Sequence, residues 1–476
     1  MTEFHPDRFF DPDPTIRAHA RAIYDETRAL PIVSPHGHVD PAVLATNDPI
    51  PDPASLIVTP DHYIVRLLYS RGVPMESLGV APLDESPPPA ERDPRRIWQT
   101  FAEHWHLFRA TPTRAWIEYE LRDVFGIKCE LTPDSASKVY DAIAERLQSV
   151  EFRPRALLKR FNIEVLATTD DPSDSLEHHD VLRQAKLSTR IIPTFRPDSL
   201  FRIASPGWKA AIDKLGARVG KELETFGDLL QALQERRAAF KAAGATATDH
   251  GVVSPRTELL DDAEIERLFA AALQGRATSD DRARFEAHLL MEMAGESVRD
   301  GLVMQLHVGA LRNHNEQIFR RFGPDRGGDI PVATEFTRNL RALLNEYGND
   351  SRFRLIVFTL DESAYSRELA PLAGHYPAML LGAPWWFHDS IEGMMRFRRA
   401  TTETAGIDNT AGFTDDTRAF CSIPARHDLA RRVDANYLGG LVARHVIDLS
   451  DAREMARAMA YDLARRAYRL DDQSGD

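Results

Sequence analysis

Two histidines separated by one glycine stand directly after the first apolar segment of the chain, at His36-Gly37-His38. Side chains at positions i and i+2 of an extended strand point to the same side, so both imidazoles can reach one ion. Imidazole nitrogens are good ligands for zinc and related metals. The motif therefore indicates a metal site, and the competing interpretation is a pair of solvated loop histidines.

A divalent ion held by two neutral imidazoles also needs an anionic ligand. Asp415 and Asp416 follow the last apolar segment, and one of them reaches the histidines if the first and last strands are neighbours, as in a closed barrel. Two histidines and one carboxylate, with positions left for water and substrate, form a catalytic metal site. The other role for either aspartate is to cap the following helix, and the residues alone leave this choice open.

Arginines supply a second theme, because Arg196, Arg312 and Arg418 all stand just past predicted strand ends. A planar guanidinium binds carboxylate oxygens through two parallel hydrogen bonds, so such a group suits an acidic substrate. The segment Asp61-His62-Tyr63 adds a candidate proton carrier, and Trp385-Trp386 adds an apolar wall. For a single arginine a structural salt bridge is the competing interpretation, and for the tryptophans it is core packing.

Two other histidine motifs are set aside. Glu177-His178-His179 stands at a predicted helix start, where contiguous polar residues face water. His104 and His106 repeat the HxH spacing, but they fall in a helical segment, where side chains at i and i+2 diverge.

Eight short apolar runs precede the polar groups, and each has the length and composition of a buried parallel strand. They are residues 31–35, 163–168, 190–194, 247–250, 303–306, 354–359, 378–382 and 411–414. The run at 247–250 is the weakest. Strands that deliver polar residues at their carboxyl ends, alternating with helical patterns, predict an α/β protein with a (β/α)8 TIM barrel. A doubly wound open sheet is the rival, but its Gly-rich loop after the first strand is missing.

The chain has 476 residues, whereas a minimal barrel needs roughly 250, so large insertions are expected. We predict one elaborated domain over residues 1–476, with helical insertions at about 61–149 and 206–299. A Pro-rich stretch at 74–96 is interpreted as an exposed connector, and residues 450–470 as a closing helix.

Composition excludes several classes of function. Hydrophobic residues make up 43% and charged residues 28% of the chain, which is typical of a soluble globular protein, and the net charge of −13 disfavours binding to nucleic acid or a membrane. The two cysteines, Cys129 and Cys421, are too few for a disulfide framework. With no signal-peptide pattern at the N-terminus, a cytoplasmic location is expected.

The motifs in their chain order resemble one family, uronate isomerase (glucuronate isomerase) of the amidohydrolase superfamily. The resemblance runs from near Phe10 to beyond Arg426 and rests on His36-Gly37-His38, Asp61-His62-Tyr63, Thr168 to Pro172 with Asp174 to His179, Phe195-Arg196-Pro197-Asp198, Asp249-His250, His307 to Asn313, Trp385-Trp386-Phe387 and Asp416-Thr417-Arg418. The motif between Thr168 and His179 is the most specific of these.

This resemblance implies a metal-bearing barrel that interconverts D-glucuronate with D-fructuronate and D-galacturonate with D-tagaturonate. It implies one divalent metal ion on His36, His38 and Asp416, with zinc as first choice and manganese, iron or cobalt as alternatives. Asp416 is preferred to Asp415 because its spacing to Arg418 matches the family. The small-molecule uronate substrate would contact Tyr63, Arg196, Asp249, His307, Arg312, Trp385 and Arg418, and a homo-oligomer is an open prediction.

Isomerisation removes the proton at C2 of the open-chain aldehyde and returns one at C1 through a cis-enediol. We predict Asp416 or a metal-bound hydroxide as the base, with Tyr63 or Arg418 assisting, so the expected catalytic set is Asp416, Tyr63, Arg418 and His36. One alternative is a metal-dependent hydrolase of the same superfamily, a lactonase or deacetylase. Another is a non-catalytic uronate-binding protein, which would have no reason to keep the metal ligands.

Overall fold

The computed structural model describes residues 4–84 and 87–471. The predicted domain 1–476 also includes residues 1–3, 85–86 and 472–476, which lie outside the described residues. Residues 85 and 86 belong to the predicted connector 74–96. The strands are β1 Ile32–Ser34, β2 Ile163–Ala167, β3 Arg190–Ile192, β4 Ala247–Val252, β5 Val303–Val308, β6 Ala310–Leu311, β7 Ile330–Pro331, β8 Leu355–Thr359 and β9 Met379–Leu381.

Helices fill most of the sequence between these strands. The α-helices are α1 Pro14–Thr27, α2 Pro41–Thr46, α3 His62–Tyr69, α4 Pro94–Glu103, α5 Pro112–Tyr119, α6 Ala136–Leu147, α7 Pro154–Arg160, α8 Glu177–Gln184, α9 Asp198–Phe201, α10 Trp208–Val219, α11 Phe226–Ala242, α12 Asp262–Leu273, α13 Ser279–Asp300, α14 Glu316–Phe322, α15 Arg341–Tyr347, α16 Ala370–Ala373, α17 Ile391–Ala405, α18 Ile423–Ala443, α19 Leu449–Arg457 and α20 Leu463–Ala467. Short 3₁₀ and π segments extend or join several of them. None of these helices, in the part of the chain that the structure describes, is long and apolar enough to span a bilayer.

The long strands form two parallel sheets, as the alternation of strands and helices predicts. One sheet has the order β1-β2-β3 and the other β4-β5-β8-β9, while β6 and β7 form a small antiparallel hairpin. Every residue of β5 and β8 is buried. This burial explains the continuous apolar runs in the sequence, since helices cover a parallel sheet on both faces.

Single backbone bridges join the two sheets and extend the second one. Phe195, just past β3, bridges in parallel to Asp170 and to Thr248 of β4, and Leu381 bridges to Thr410. The eighth run, 411–414, forms no regular strand among the described residues. Gly412 adopts a φ of 75°, in the left-handed region that interrupts an extended chain.

Both long stretches predicted as insertions are helical. Residues 61–149 contain α3 to α6. The buried aromatic side chains Trp98 and Phe101 of α4 pack together with Phe108 of the 3₁₀ segment Trp105–Phe108. Residues 206–299 contain α10 to α13 around β4, and α13 begins with a capping box at Thr278 and Asp281. The predicted C-terminal helix is found as α19, the π segment Ala458–Asp462 and α20 in succession.

The run predicted with least support, at 247–250, becomes β4, a six-residue strand. Its local pattern is weak because Thr248, Asp249 and His250 are polar, yet all three are fully buried. The Nδ1 atom of His250 lies 3.0 Å from the carbonyl oxygen of Gln305 on β5, whereas Nε2 is buried without a hydrogen-bond partner among the described residues. Burial lowers the pKa of His250 to about 4, so the ring is neutral at neutral pH.

A protonation penalty at His250 should therefore make the fold sensitive to mild acid. The unfolded chain protonates this ring near pH 6.5, whereas the folded chain resists until about pH 4. The unfolded state thus binds more protons in this window, and stability is lost as the pH falls through it. At pH 5 the loss at this site is about 2 kcal/mol, or roughly 2 °C in Tm for a chain of this size.

We expect His250→Asn, which keeps a donor near the position of Nδ1, to lose about 2 °C less in Tm between pH 7 and pH 5 than the parent chain. Thermal melts at both pH values measure this difference. His178→Asn is the matched control, because His178 is solvent-exposed. Parallel melting curves for the parent and His250→Asn would contradict the assignment.

Candidate active site

The carboxyl ends of the parallel strands surround a cavity of about 380 Å³. Most of the side chains that the sequence singled out line it: His36, His38, Tyr63, Arg196, His307, Arg312, Trp385, Asp416 and Arg418. Asp249 does not line the cavity, because its side chain is fully buried beneath it. The structure therefore brings the other predicted groups together at the cavity, whereas Asp249 lies beneath them.

His36, His38 and Asp416 meet at the centre of the cavity floor. The Asp416 Oδ1 atom lies 3.0 Å from His38 Nε2 and 3.5 Å from His36 Nε2. Burial alone would raise the pKa of Asp416, but His36 and His38 outweigh it and hold the pKa well below the ordinary value. The carboxylate is therefore ionised at neutral pH.

The backbone that carries Asp416 is pinned to the first strand segment. The His38 amide donates to the carbonyl of Thr417 at 3.0 Å, and Asp416 itself has a φ of 39°. Non-glycine residues rarely adopt this left-handed backbone conformation, and those that do cluster at functional sites. This conformation places the carboxylate beside the two imidazoles.

His307, at the end of β5, joins this group. Single ligand atoms of His36, His307 and Asp416 lie within 4.8 Å of one another, and the rings of His36 and His307 stack at 4.7 Å between centroids. The sequence placed His307 only among the substrate contacts. The sequence around His307, HxGALRN, has no second metal-ligating residue at a typical spacing. Only the fold brings His307 close to His36 and Asp416.

These donors fit a divalent cation. His307 Nε2 and Asp416 Oδ1 are buried without a hydrogen-bond partner among the described residues. His307 Nδ1 lies 2.6 Å from Asp249 Oδ1, and this contact fixes the proton on Nδ1 and leaves Nε2 with a free lone pair. A histidine ligand held by a carboxylate in this way is a recurring feature of protein metal sites.

Asp249 is the buried charge that holds two sides of the site together. Besides His307, its Oδ2 atom lies 3.1 Å from Arg196 Nη1 and 3.9 Å from His36 Nε2. Burial would raise the pKa of Asp249, but Arg196 and His307 outweigh burial and keep the pKa well below its ordinary value. Both carboxylate oxygens of Asp249 face protein partners, and the side chain does not line the cavity. A contact between Asp249 and substrate stays a prediction.

Asp415 and Asp416 have separate surroundings. Asp415 is buried with its Oδ2 atom 3.0 Å from His427 Nε2 on α18, whereas Asp416 faces the cavity. Neither acts as the cap of a helix, since the next helical turn begins only at Phe420. The geometry favours Asp416 as the carboxylate available to a metal.

Every predicted arginine at the cavity already has an aspartate partner. Arg196 Nε lies 2.9 Å from Asp198, Arg312 Nη1 lies 2.7 Å from Asp329, and Arg418 Nη2 lies 3.3 Å from Asp325. The Arg418 contact is the longest of the three, and 31% of its side chain is exposed. Arg418 is thus the guanidinium most readily turned toward an acidic ligand.

Sequence reasoning missed Arg426 on α18, which also lines the cavity. Its Nη1 atom donates to Asp389 at 2.6 Å, and its guanidinium lies 3.6 Å from the ring centre of Trp116 and 5.5 Å from that of Tyr63. No motif surrounds Arg426, and a helical position gave no signal. The stack fixes one face of Tyr63.

The phenol and imidazole of the segment Asp61-His62-Tyr63 have strongly shifted pKa values. Burial raises the pKa of Tyr63, so the phenol keeps its proton at neutral pH. Burial, followed by the charge of Arg418, lowers the pKa of His62 to about 3 and keeps this ring neutral. Asp61 caps α3 by accepting from the Tyr63 amide at 2.7 Å, which fixes where Tyr63 starts the helix.

The expectation that both His178 and His179 face water is wrong for His179. This ring is 3% exposed, and its Nε2 atom lies 2.8 Å from the hydroxyl of Thr168 at the end of β2. The helix start buries one of two adjacent residues and exposes the other. His104 and His106 bond to backbone carbonyls in their own helical segment and do not line the cavity.

Comparison with known proteins decides the family. Residues 1–468 match the family model for glucuronate isomerase. The chain belongs to the glucuronate isomerase family. A uronate isomerase of Nostoc punctiforme is 54% identical over 467 residues, which cover 98% of each chain.

Solved structures of the glucuronate isomerase family have the same fold. The crystal structure of glucuronate isomerase from Caulobacter crescentus superposes with a TM-score of 0.97 at 46% identity, covering 99% of this chain and 98% of that one. Uronate isomerase from Thermotoga maritima gives a TM-score of 0.91 at 29% identity, covering 98% of this chain and all of that one, 100%. The fold described above is thus shared with both of these proteins.

Asp416→Asn should weaken divalent metal binding by at least about 10²-fold, because the neutral amide removes the anionic ligand. Metal analysis of the purified protein after dialysis measures the loss. Asp415→Asn is the matched control and should keep its metal, since that carboxylate pairs with His427. Equal metal contents in the two variants would argue against Asp416 as the ligand.

Proposed function

We propose that this chain is a uronate isomerase that interconverts D-glucuronate with D-fructuronate and D-galacturonate with D-tagaturonate. The observation that carries the proposal is one cavity lined by His36, His307, Asp416 and several arginines in a member of the glucuronate isomerase family. A metal-binding group beside guanidinium groups suits a sugar that ends in a carboxylate.

We infer that the eight predicted segments close into a (β/α)8 barrel with helical insertions. The bridges of Phe195 to Asp170 and Thr248 support continuity between the two parallel sheets. The bridge from Leu381 to Thr410, followed by the bond from the His38 amide to Thr417, supports closure between the last segment and the first. One domain over residues 1–476 is the corresponding proposal for domain organisation.

We propose that one divalent ion, with zinc as first choice, is held by His36, His38 and Asp416, and that His307 lies within reach of the same ion. When bound, such an ion would act as a Lewis acid for oxygens of the open-chain sugar. The residues around it then have two tasks: they orient the sugar and they move its protons.

Binding of the carboxylate falls to the arginines of the cavity. Arg418 has the longest contact to its own partner, so it can exchange Asp325 for the substrate carboxylate at the lowest cost. Arg196 is held from two sides by Asp198 and Asp249, and it serves better as a rigid donor than as a mobile clamp. Trp385 lines the cavity beside His307 and can exclude water from the bound sugar.

Proton transfer between C2 and C1 needs an ionised acceptor and a neutral donor. Asp416 remains ionised because its pKa is held well below the ordinary value despite burial. Tyr63 remains protonated because burial raises its pKa. Asp416 as acceptor and Tyr63 as donor therefore meet the requirement in opposite protonation states at one pH.

The two alternative functions differ from isomerisation in their substrates and products. A metal-dependent lactonase or deacetylase would need a hydrolysable substrate, and a non-catalytic uronate-binding protein would leave the sugar unchanged. We also propose a cytoplasmic location, and a homo-oligomer stays a prediction.

Purified, metal-loaded protein should convert D-glucuronate to a ketose, since the cavity offers arginines for its carboxylate. D-Glucose is the matched substrate, because it lacks the carboxylate, and its kcat/KM should be lower by about 10²-fold or more. A colorimetric ketose assay on both sugars measures the ratio. Hydrolysis of uronolactones without any ketose from D-glucuronate would replace the isomerase by the hydrolase.

Tyr63→Phe removes only the phenolic oxygen and should lower kcat by about 10²-fold, the usual worth of a positioned proton donor. KM should change little, because the ring and its stack with Arg426 remain. Steady-state rates on D-glucuronate measure both constants, and Tyr119→Phe, on the neighbouring helix α5 and outside the cavity, is the control. An unchanged kcat would remove Tyr63 from proton transfer.

A further inference from the structure

A second cavity, of about 620 Å³, opens at the end of the sheets opposite to the candidate active site. Its wall includes residues 298–301, which directly precede β5, and residues 351–354, which directly precede β8. The third part of the wall comes from α20 and the segment after it. The cavity therefore lies at the amino ends of the strands, whereas the chemistry described above lies at their carboxyl ends.

Arginines dominate the wall of this second cavity. Six of them line it, against two aspartates: Arg299, Arg352, Arg354, Arg465, Arg466 and Arg469. The chain as a whole carries a net charge of −13. A local excess of cations in an acidic protein is a concentrated positive field that attracts anions.

Four of the six arginines are paired with carboxylates at the margin of the cavity. Arg352 binds Asp350 at 2.7 Å and Arg466 binds Asp408 at 3.0 Å. Arg299 pairs with Glu296, and Arg465 pairs with Glu164 and Asp471. Each guanidinium has five N–H donors, so these contacts leave N–H groups for a ligand.

Arg354 and Arg469 lie near each other in the wall and have a different environment. Arg469 donates to the carbonyls of Gly301 at 2.8 Å and Arg352 at 2.6 Å, which fixes its position without neutralising its charge. Among the residues that the structure describes, Arg354 Nε is buried without an acceptor. Burial and the neighbouring charge of Arg469 lower the pKa of Arg354, so these two cations repel each other in the absence of an anion.

We propose that this cavity binds a small phosphorylated metabolite, with the phosphate between Arg354 and Arg469. A dianionic phosphate has enough charge to offset both guanidinium groups and enough oxygens for their parallel N–H donors. The volume of about 620 Å³ lies within the range of small-molecule sites. A single sugar carboxylate carries half of that charge and suits this pair of arginines less well.

The position of the cavity has a consequence for activity. A ligand bound at the amino ends of β5 and β8 does not overlap the cavity that contains His36 and Asp416. It can stabilise the fold without competing for the proposed uronate site. This separation allows binding at the second cavity to be tested independently of the isomerase reaction.

The test uses full-length, metal-loaded protein with glycerol 3-phosphate as probe and glycerol as its uncharged control, both at matched ionic strength. At about 100 times its Kd, the phosphate ester should raise Tm by roughly 2–3 °C, and glycerol at the same concentration should not. Isothermal titration calorimetry gives the Kd. In a steady-state assay the ester should leave KM for D-glucuronate unchanged.

Arg354→Gln should raise the Kd about tenfold or more, because a charge-assisted contact is lost. Arg299→Gln combined with Arg466→Gln is the second variant, since both side chains are more than half exposed, at 58% and 59%, and the fold does not depend on them. It should raise the Kd about threefold or more through the weaker positive field. Arg320→Gln, on α14 and more exposed at 77%, is the control and should leave the Kd unchanged.

Three outcomes would overturn the proposal. If the parent chain binds glycerol 3-phosphate no more tightly than glycerol, the cavity is not a phosphate site. If Arg354→Gln and the double variant keep the Kd of the parent, or if the ester competes with D-glucuronate, the anion binds elsewhere.

Discussion

One backbone hydrogen bond, from the His38 amide to the Thr417 carbonyl, joins the segment after β1 to the segment that carries Asp416. The histidines and the aspartate stand almost four hundred residues apart in the chain, so no local preference can bring them into contact. Once this bond forms, the left-handed backbone at Asp416 turns its carboxylate toward both imidazoles. The strain at that residue is local, while the parallel sheets on either side supply the stability that maintains it.

Charge compensation is the second constraint on the cavity. Five arginines and five aspartates line it, so its own charges balance before any ligand enters. Buried charges persist only when they are paired, and each arginine of the predicted set has its aspartate. An acidic ligand must therefore exchange with an existing partner, which makes the long contact of Arg418 more informative than the number of arginines.

Several features were predictable from the sequence because their signals are local. Apolar runs located the strands, and the polar groups after each run located the edge where the cavity lies. The spacing of His36 and His38 indicated a shared ion, and the structure brings both within 3.5 Å of Asp416. The eighth segment was the exception among the runs, since the left-handed backbone at Gly412 prevents a regular strand there.

The features that were not predictable depend on contacts between distant segments. Nothing near Arg426 marks it as a cavity residue, and nothing near His307 marks it as a neighbour of His36. The segment with the weakest strand pattern, β4, carries Asp249, the carboxylate to which His307 and Arg196 both bind. Burying the polar side chains of Thr248, Asp249 and His250 is costly. Their polarity also makes β4 differ from the apolar runs by which a buried strand is recognised in the sequence. For Asp249 the cost is offset by His307 and Arg196, which lie on another strand and a loop, so the weakness of β4 in the sequence and its central position in the site have the same physical origin.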